Sequence, residues 1–515
     1  MKNYAGKMSN RLKRFEKSSC QFQKQFIKIG LIVSTIVLFL GTLLCFEGKK
    51  TEAQLKNKID EIDQYIQAKL EKNHIPGAAV AITHNDQVIF TKGYGSTVNH
   101  APITADTPFA IASLSKAFTA FSVMQLVEEG KIELDKPFSQ YVPAFKLKDP
   151  RGAKITPRHL LNHTSGLTDK MYPDMTIDPQ PQSFAAVIQH LKNVSLANDP
   201  GKEHHYNNTN YQLLALLVEV VSKEEFSQYL ENHIFGPLEM KQTFNAANTK
   251  ELNKNDRLAG GHYFLFGQPV EKEEPEWFVN GPAGIVSSAN DMAKWLALQS
   301  NDGNFKNNQL LSSKGIQAMQ TPASSKNAYG MGWNIFKDDN GKSQIQHSGI
   351  LWTYKSEALL LPDEGYGIVM LFSSGLNSFV DYYSFTDGIA KILTNQSPNV
   401  PFYNNQLFEI AAGALIAATI ILGVRQLLRL NYWIEKYQTR SKWRSALYLV
   451  LRLIPLCLLI FLPNLMTFIG GGRVLSWDGM ILMMPSLFIW LVIAALLNLV
   501  IAIFRVMRNF LLEKS

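Results

Sequence analysis

Only three cysteines occur in 515 residues, Cys20, Cys45 and Cys457, and none lies between residues 46 and 456. That long segment can hold no disulfide, no thiolate metal site and no cysteine nucleophile. Charge is scarce as well: 18% of residues are Asp, Glu, Lys or Arg and 46% are hydrophobic, against about 25% charged in an ordinary soluble chain. A hydrophobic content this high excludes a disordered chain. At roughly 150 residues per domain the length suggests two to four units.

The missing charge is concentrated in long apolar runs. Ile29 to Phe46 is 18 residues without a charge, just long enough for a helix rising about 1.5 Å per residue to cross a bilayer core. Before it stand Lys2, Lys7, Arg11, Lys13, Arg14, Lys17, Lys24 and Lys28 against Glu16 alone, which leaves segment 1–28 in the cytoplasm. The competing reading is a cleaved leader ending near Thr51-Glu52-Ala53. Lipid attachment at Cys45 is disfavoured because Leu44, not a small residue, precedes it.

Three further runs, 407–424, 446–469 and 480–504, reach spanning length, interrupted only by Glu409 and Arg452. Loop 425–445, with Arg425, Arg429, Lys436, Arg440, Lys442 and Arg444 against Glu435, reads as cytoplasmic, as does the tail 505–515. Four crossings therefore close with both termini inside. Trp433, Trp443, Trp477, Tyr403 and Tyr432 fall near the ends of these runs, where interfacial aromatics sit.

This topology accounts for the overall charge of +8. Segments 1–28, 425–445 and 505–515 carry +7, +5 and +2, whereas 47–409 holds 32 Lys+Arg and 39 Asp+Glu, a net −7. The basic clusters face anionic lipid, and a nucleic-acid partner has no footprint.

Segment 47–405 has the mixed texture of one large α/β domain outside the membrane, without repeats. Thr51 to His74 carries Leu55, Ile59, Ile62, Ile66 and Leu70 at helical spacing and stops at Pro76-Gly77. Gly77–Thr83 and Gln87–Thr91 read as a hairpin through His84-Asn85-Asp86. Ser115–Glu129 reads as a helix ending at Gly130. Ser343–His347, Thr353–Leu361 and Gly367–Phe372 read as strands before a helix near Asp381–Thr394. Strands at both ends imply one composite sheet, with 135–290 a helical subdomain beside it.

Three motifs carry chemistry. Ser113 and Lys116 are three apart at the opening of a helix, so the amine reaches the hydroxyl and the helix end favours a developing anion. Such a lysine serves as a base only if burial keeps it neutral. An N-capping serine with a solvated lysine is the alternative, and Ser115 reads as a helix-start serine. Tyr206-Asn207-Asn208 precedes the helical run Leu213–Val221; a tyrosine beside a lysine can ionise or share a proton, and a nearby amide can hold a carbonyl or the lysine. Here the alternative is a polar helix entry. Gln346-His347-Ser348-Gly349 lies in a β-rich run, where the bare Gly349 would let an edge strand approach a bound acyl group.

With these motifs in this order the chain resembles the serine β-lactamase and penicillin-binding-protein superfamily, in its class C β-lactamase-like branch of D-alanyl peptidases, esterases and teichoic-acid-modifying proteins. The resemblance extends over about residues 55–390. It includes Pro76-Gly77-Ala78-Ala79-Val80, Lys92-Gly93-Tyr94-Gly95, Asp106-Thr107-Pro108-Phe109, the run from Ile155 to Leu167 and Gly281-Pro282-Ala283-Gly284. It implies an antiparallel sheet flanked by helices with a helical subdomain, and an acyl-enzyme mechanism. Ser113 would be the nucleophile, Lys116 and Tyr206 would share acid–base work, and Asn208 would orient the substrate amide. The backbone amides of Ser113 and Ile350 would form the oxyanion hole, and Tyr211 ranks below Tyr206 because no Asn follows it two positions later.

One departure bears on substrate. Where many relatives have Lys-Thr-Gly, this chain has His347-Ser348-Gly349, a group largely neutral at pH 7 in place of a permanent cation. That weakens attraction for the carboxylate of a β-lactam or terminal D-alanine and favours an ester or a differently charged amide. Other sites fail: His204-His205 has no carboxylate cluster around it, and His163 reads as structural rather than as a triad histidine. No metal or cofactor is called for.

The expected protein is a membrane-anchored serine hydrolase at the outer face of a bacterial cytoplasmic membrane. Its partners are the membrane itself and a cell-envelope substrate, peptidoglycan or teichoic acid, or a small ester or amide. The alternative is a receptor that captures a β-lactam or wall fragment and signals through the C-terminal helices, with Arg452 and Asn498 as candidate intramembrane partners unless the arginine merely snorkels. A transporter with a lid domain would need more polar spans than these.

Overall fold

In the computed structural model, the described residues are 53–338, 340–399, 405–438 and 441–512, with Gly6 and Met8. The expected span Ile29–Phe46 and most of the basic tail before it lie outside them. Residues 53–72 are helical, as the apolar spacing predicts.

Residues 65–515 form one compact unit built around a six-stranded antiparallel sheet. Its strands are β1 (Gly77–His84), β2 (Gln87–Gly95), β3 (Asn334–Lys337), β4 (Ser343–Ile350), β5 (Lys355–Leu361) and β6 (Tyr366–Phe372), in spatial order β3-β4-β5-β6-β1-β2. The composite sheet expected from strands at the two ends of the domain is formed by β1 pairing with β6, Ala78 opposite Phe372 through His84 opposite Tyr366. The β1–β2 turn places Asn85 at a positive φ of 56°, a conformation asparagine tolerates. Strand β3 was not expected: Asn-Ile-Phe-Lys is too short and irregular to show a two-residue period, and it exists by pairing with Ser343–Gln346.

Central strands β1, β5 and β6 are buried on both faces. Small residues in β1 (Ala78, Ala79, Ala81) let covering layers come close. Helix α1 (Ser115–Glu128) is buried nearly all round, and a helix of that kind sits in the middle of a core rather than on it. Phe118 stacks on Trp295 of α3 (Ala289–Ser300) with centroids 3.8 Å apart, and Phe121 meets the same indole edge-on at 5.2 Å. The chain ends α1 at Gly130, φ 71°. Helix α2 (Thr209–Ser222) packs beside α1, and α4 (Tyr383–Leu393) covers β5 and β6.

Segment 135–290 is not purely helical as expected. It also holds strands Phe244–Asn245 and Ile285–Ser287, the latter pairing with Phe109–Ala110, and the hairpin His262–Leu265 with Gln268–Glu271.

Among the described residues three helices are long and apolar enough to cross a membrane: Asn405–Leu428, Lys442–Ile460 and Pro485–Arg508. Helix α5 (Asn405–Leu428) outruns the expected 407–424 at both ends. The expected single helix 446–469 is broken into α6 (Lys442–Leu451), α7 (Ile454–Ile460) and α8 (Leu462–Ile469). Pro455 and Pro463 cause this, since neither has an N–H for the carbonyl four residues back. The expected 480–504 is likewise divided at Met484 and Pro485 into α9 (Trp477–Met483) and α10 (Pro485–Leu512). Arg452 does more than snorkel: it donates to Asn498 Oδ1 at 2.9 Å and also contacts Gln426.

Trp295 locks the helix that carries Ser113 to the sheet. Trp295→Ala should cost about 3–5 kcal/mol, read as a large drop in the thermal midpoint of near-ultraviolet circular dichroism.

Candidate active site

The backbone entering α1 is forced into an unusual shape. Ala112 has φ 49°, a left-handed conformation that costs a non-glycine residue about 1–2 kcal/mol. It persists because Ile111 is clamped on both sides: its N–H donates to Ile285 O at 3.0 Å, and Ser356 Oγ donates to its carbonyl at 2.7 Å. Ser115 is not a cap; its Oγ accepts from Ile285 N at 3.0 Å, tying the helix start to the same strand. Ser113 then sits in a single 3-10 turn, Ala112–Leu114, at the mouth of α1.

Lys116 is fully buried, and its Nζ lies 3.0 Å from Ser113 Oγ, 2.9 Å from Asn208 Oδ1 and 3.0 Å from the Pro282 carbonyl. Burial holds its pKa well below the ordinary lysine value; Arg473 adds to the fall and Asp174 opposes it. Nζ is placed to donate to all three; once it has lost a proton, two N–H groups still serve Asn208 and Pro282 and the lone pair faces the serine O–H. The solvated-lysine alternative is thereby excluded.

Tyr206 enters from the segment preceding α2, with Lys116 Nζ 4.9 Å from its ring centre. Burial pushes its phenol up to about 12, although a hydrogen bond with Ser113 pulls the other way. At neutral pH it is a protonated acid, not the ionised tyrosine that the neighbouring lysine might have favoured. Asn208 spends its oxygen on Lys116 rather than being free for a substrate amide. Tyr211 is wholly buried and donates to Leu161 O at 2.8 Å, a structural bond. His163, also buried and at φ 56°, is packed among Tyr206, Tyr211 and Tyr329, and its Nδ1 faces Asn207 N and Asn210 Nδ2.

The third motif closes the site from the sheet. Strand β3 pairs with β4 only through Gln346, so His347, Ser348, Gly349 and Ile350 present an edge that β3 leaves uncovered. The Nδ1–H of His347 donates to Ser348 O at 2.9 Å, and its Nε2 accepts from the Tyr329 hydroxyl at 3.2 Å. Burial lowers its pKa to about 3, so the ring is neutral. Ser348 Oγ donates to Glu357 at 3.0 Å, and Lys355 contacts both. Gly349 is required by packing within the domain. A β-carbon there would lie 2.1 Å from Ser356 Oγ and 2.2 Å from Ile111 O; the bare position seats the turn that carries Ser113. Ile350, whose amide is the expected second oxyanion donor, ends β4 with its side chain exposed.

Four further residues escape a local reading. Asp169 and Asp174 are buried beside the Tyr206 segment. Burial raises both; Arg473 is the strongest counterweight, and Asp169 comes to about 7. Tyr329 orients His347, and Arg473 arrives from the loop between α8 and α9. A lone cation after three glycines, between two apolar runs, was the only signal for the last.

Two outcomes follow. Lys116→Met should slow acylation of Ser113 by about 10²–10⁴-fold, and in the parent the rate should fall with acid through an inflection far below the ordinary lysine pKa, because only the neutral amine accepts the serine proton; stopped-flow labelling across pH measures both. Gly349→Ala should displace Ile111, cost about 1–3 kcal/mol and slow acylation.

Comparison with known proteins agrees with this geometry. The family model described as Beta-lactamase matches residues 62–382. Protein flp of Staphylococcus aureus (strain MW2) is 32% identical over 324 residues, 62% of this chain and 63% of that protein; the chain thus spans just under two thirds of that relative's length. A Salmonella typhimurium protein provisionally named a D-alanyl-D-alanine carboxypeptidase is 27% identical over 317 residues, 54% of this chain and 72% of that one. The octameric penicillin-binding protein homologue from Pyrococcus abyssi has a TM-score of 0.57 at 25% identity, covering 66% of this chain and 78% of its own. D-alanine carboxypeptidase AmpC from Burkholderia cenocepacia shares the fold, with a TM-score of 0.54 at 20% identity, covering 66% and 99%. With well over half of its length matched by the family model, the chain belongs to the Beta-lactamase family.

Proposed function

We propose that this protein is a membrane-anchored serine hydrolase that acts through an acyl-enzyme on Ser113, on esters or amides of the cell envelope. The observation that carries the reading is the 3.0 Å contact between Ser113 Oγ and a fully buried Lys116 amine. As Oγ attacks a carbonyl carbon, its proton passes to the Lys116 lone pair, and the new oxyanion faces backbone N–H groups at Ser113 and Ile350. Tyr206, protonated at neutral pH, supplies the leaving group with a proton and is refilled from Lys116. Water then repeats the sequence in reverse at the acyl-enzyme.

Charge near the site bears on the substrate. His347 is neutral where a cation would draw a carboxylate; Lys355 is engaged by Glu357 and Arg473 by Asp169. A D-alanyl ester of teichoic acid, or another acyl group without a carboxylate beside the scissile bond, fits this balance better than a terminal D-alanyl-D-alanine or a β-lactam. A catalytic domain outside the cell is supported by the basic loop 425–445 and by the contact of loop 470–476 with the domain. The polar contact of Arg452 with Asn498 inside the spans favours a second reading, a receptor that captures an acylating ligand without turnover.

Intact mass of the full-length protein after a fluorophosphonate and, separately, benzylpenicillin tests the proposal. One adduct on the parent, absent from Ser113→Ala, is the expected result with the fluorophosphonate. A lasting penicillin adduct favours the receptor, rapid loss of that adduct favours β-lactam hydrolysis, and a folded parent that takes neither reagent overturns the acyl-enzyme.

A further inference from the structure

The loop joining α8 to α9 does more than link apolar helices. Gly471 and Gly472 adopt φ 65° and 95°, left-handed values that glycine takes without steric cost, and they turn Arg473 back onto the catalytic domain. Arg473 Nη1 donates to Asp169 Oδ1 at 2.8 Å and to the Tyr206 carbonyl at 3.1 Å, and Nη2 contacts Met175 Sδ at 3.1 Å. Val474 N donates to the other Asp169 oxygen at 3.2 Å. The guanidinium carbon stands 5.5 Å from the Tyr206 ring centre.

Asp169 is thus held from two sides, since Asn207 Nδ2 also donates to it at 2.8 Å. Asn207 lies between Tyr206 and Asn208, the two side chains of this segment that meet Ser113 and Lys116. Its own oxygen accepts from Thr209 N at 3.0 Å, and its N–H faces His163 at 3.3 Å. A displacement of Asp169 therefore moves the whole Tyr206–Asn208 segment. Without the guanidinium the buried Asp169 carboxylate has no cation in contact, a costly state that its surroundings relieve by protonation or movement.

We propose that the loop between α8 and α9 completes the catalytic site, with Arg473 as the positioning residue that holds Tyr206 and Asn208 in register with Ser113 through Asp169 and Asn207. The C-terminal apolar helices are then an active-site element as well as an anchor. This inference rests on the acyl-enzyme reading of Ser113.

The test is fluorophosphonate labelling of the full-length protein in lipid nanodiscs, as parent, R473Q, R473K, D169N and the R473Q/D169N double variant, with the cytoplasm-facing R508Q as control. R473Q should lower the saturating acylation rate about 10- to 100-fold, with the half-saturating concentration within about twofold of the parent. The double variant should be no slower than the slower single one, because both changes break one connection. R473K should also be slow, since an ammonium lacks both the second nitrogen that Arg473 lays on Met175 and the planar group that faces the Tyr206 ring. Methylguanidine should restore part of the R473Q rate, which a merely structural role would not produce.

Parental rates in R473Q and D169N, or losses that multiply in the double variant, overturn the inference. Should R473Q lose its near-ultraviolet circular dichroism, R473K decides, and a parental rate there overturns it. A parent that does not label at all defeats the acyl-enzyme reading itself, which is a separate outcome from a labelled parent with an equally fast R473Q.

Discussion

The burial of one lysine amine organises this protein. Lys116, in the first turn of α1, reaches Ser113 because the 3-10 turn Ala112–Leu114 runs directly into that helix, and its pKa is held down because this end of α1 is buried. Each enclosing element is itself constrained to come close. The Pro282 carbonyl that receives one N–H follows Gly281, whose φ is 96° and whose missing β-carbon would sit 2.4 Å from Tyr211 O. The hydroxyl of Thr119, one turn along α1, donates to Gly281 O at 2.7 Å. Asn208 closes the third side. A loosening of any of these admits water, and with water the amine returns to its charged form and the serine loses its base.

The same logic governs the acidic side of the site. Two carboxyl groups, Asp169 and Asp174, lie in the buried zone that contains Lys116 and Arg473. Buried charges persist when they are matched, and the count of groups here is two acids to two bases. If Lys116 is neutral, one carboxyl group must hold a proton for the balance to stand. Burial raises the pKa of both acids and lowers that of the lysine, so the same enclosure favours a proton on a carboxyl group over one on the amine. A proton can then enter or leave the cluster without leaving an isolated charge in the interior.

What could be read from the chain was local, and what could not was long-range. Ser113 and Lys116 announce themselves by three-residue spacing, Tyr206 and Asn208 by two, and the strands by short β-rich runs and turn residues. The kinks in 446–469 were also legible in principle, since Pro455 and Pro463 each remove a helix donor; run length alone concealed them. Gly349 was read as a gap for substrate, but its neighbours Ser356 and Ile111 come from segments distant in sequence. Asp169, Asp174 and Tyr329 have no motif of their own, and only tertiary packing turns ordinary loop residues into parts of the site.

Arg473 is the extreme case of that principle. It lies 304 residues from the aspartate it pairs with and outside residues 62–382, where the family match runs. The part of the chain that matches the family therefore stops short of one residue touching the Tyr206 segment. Because Asp169 is buried, its carboxylate cannot simply exchange a guanidinium for water as a surface ion pair would. The family-matched domain and the apolar helices are coupled through a group whose loss must be compensated inside the protein. A shift of α8 and α9 relative to the sheet reaches Tyr206 directly through the Arg473 bond to its carbonyl and indirectly through Asp169 and Asn207.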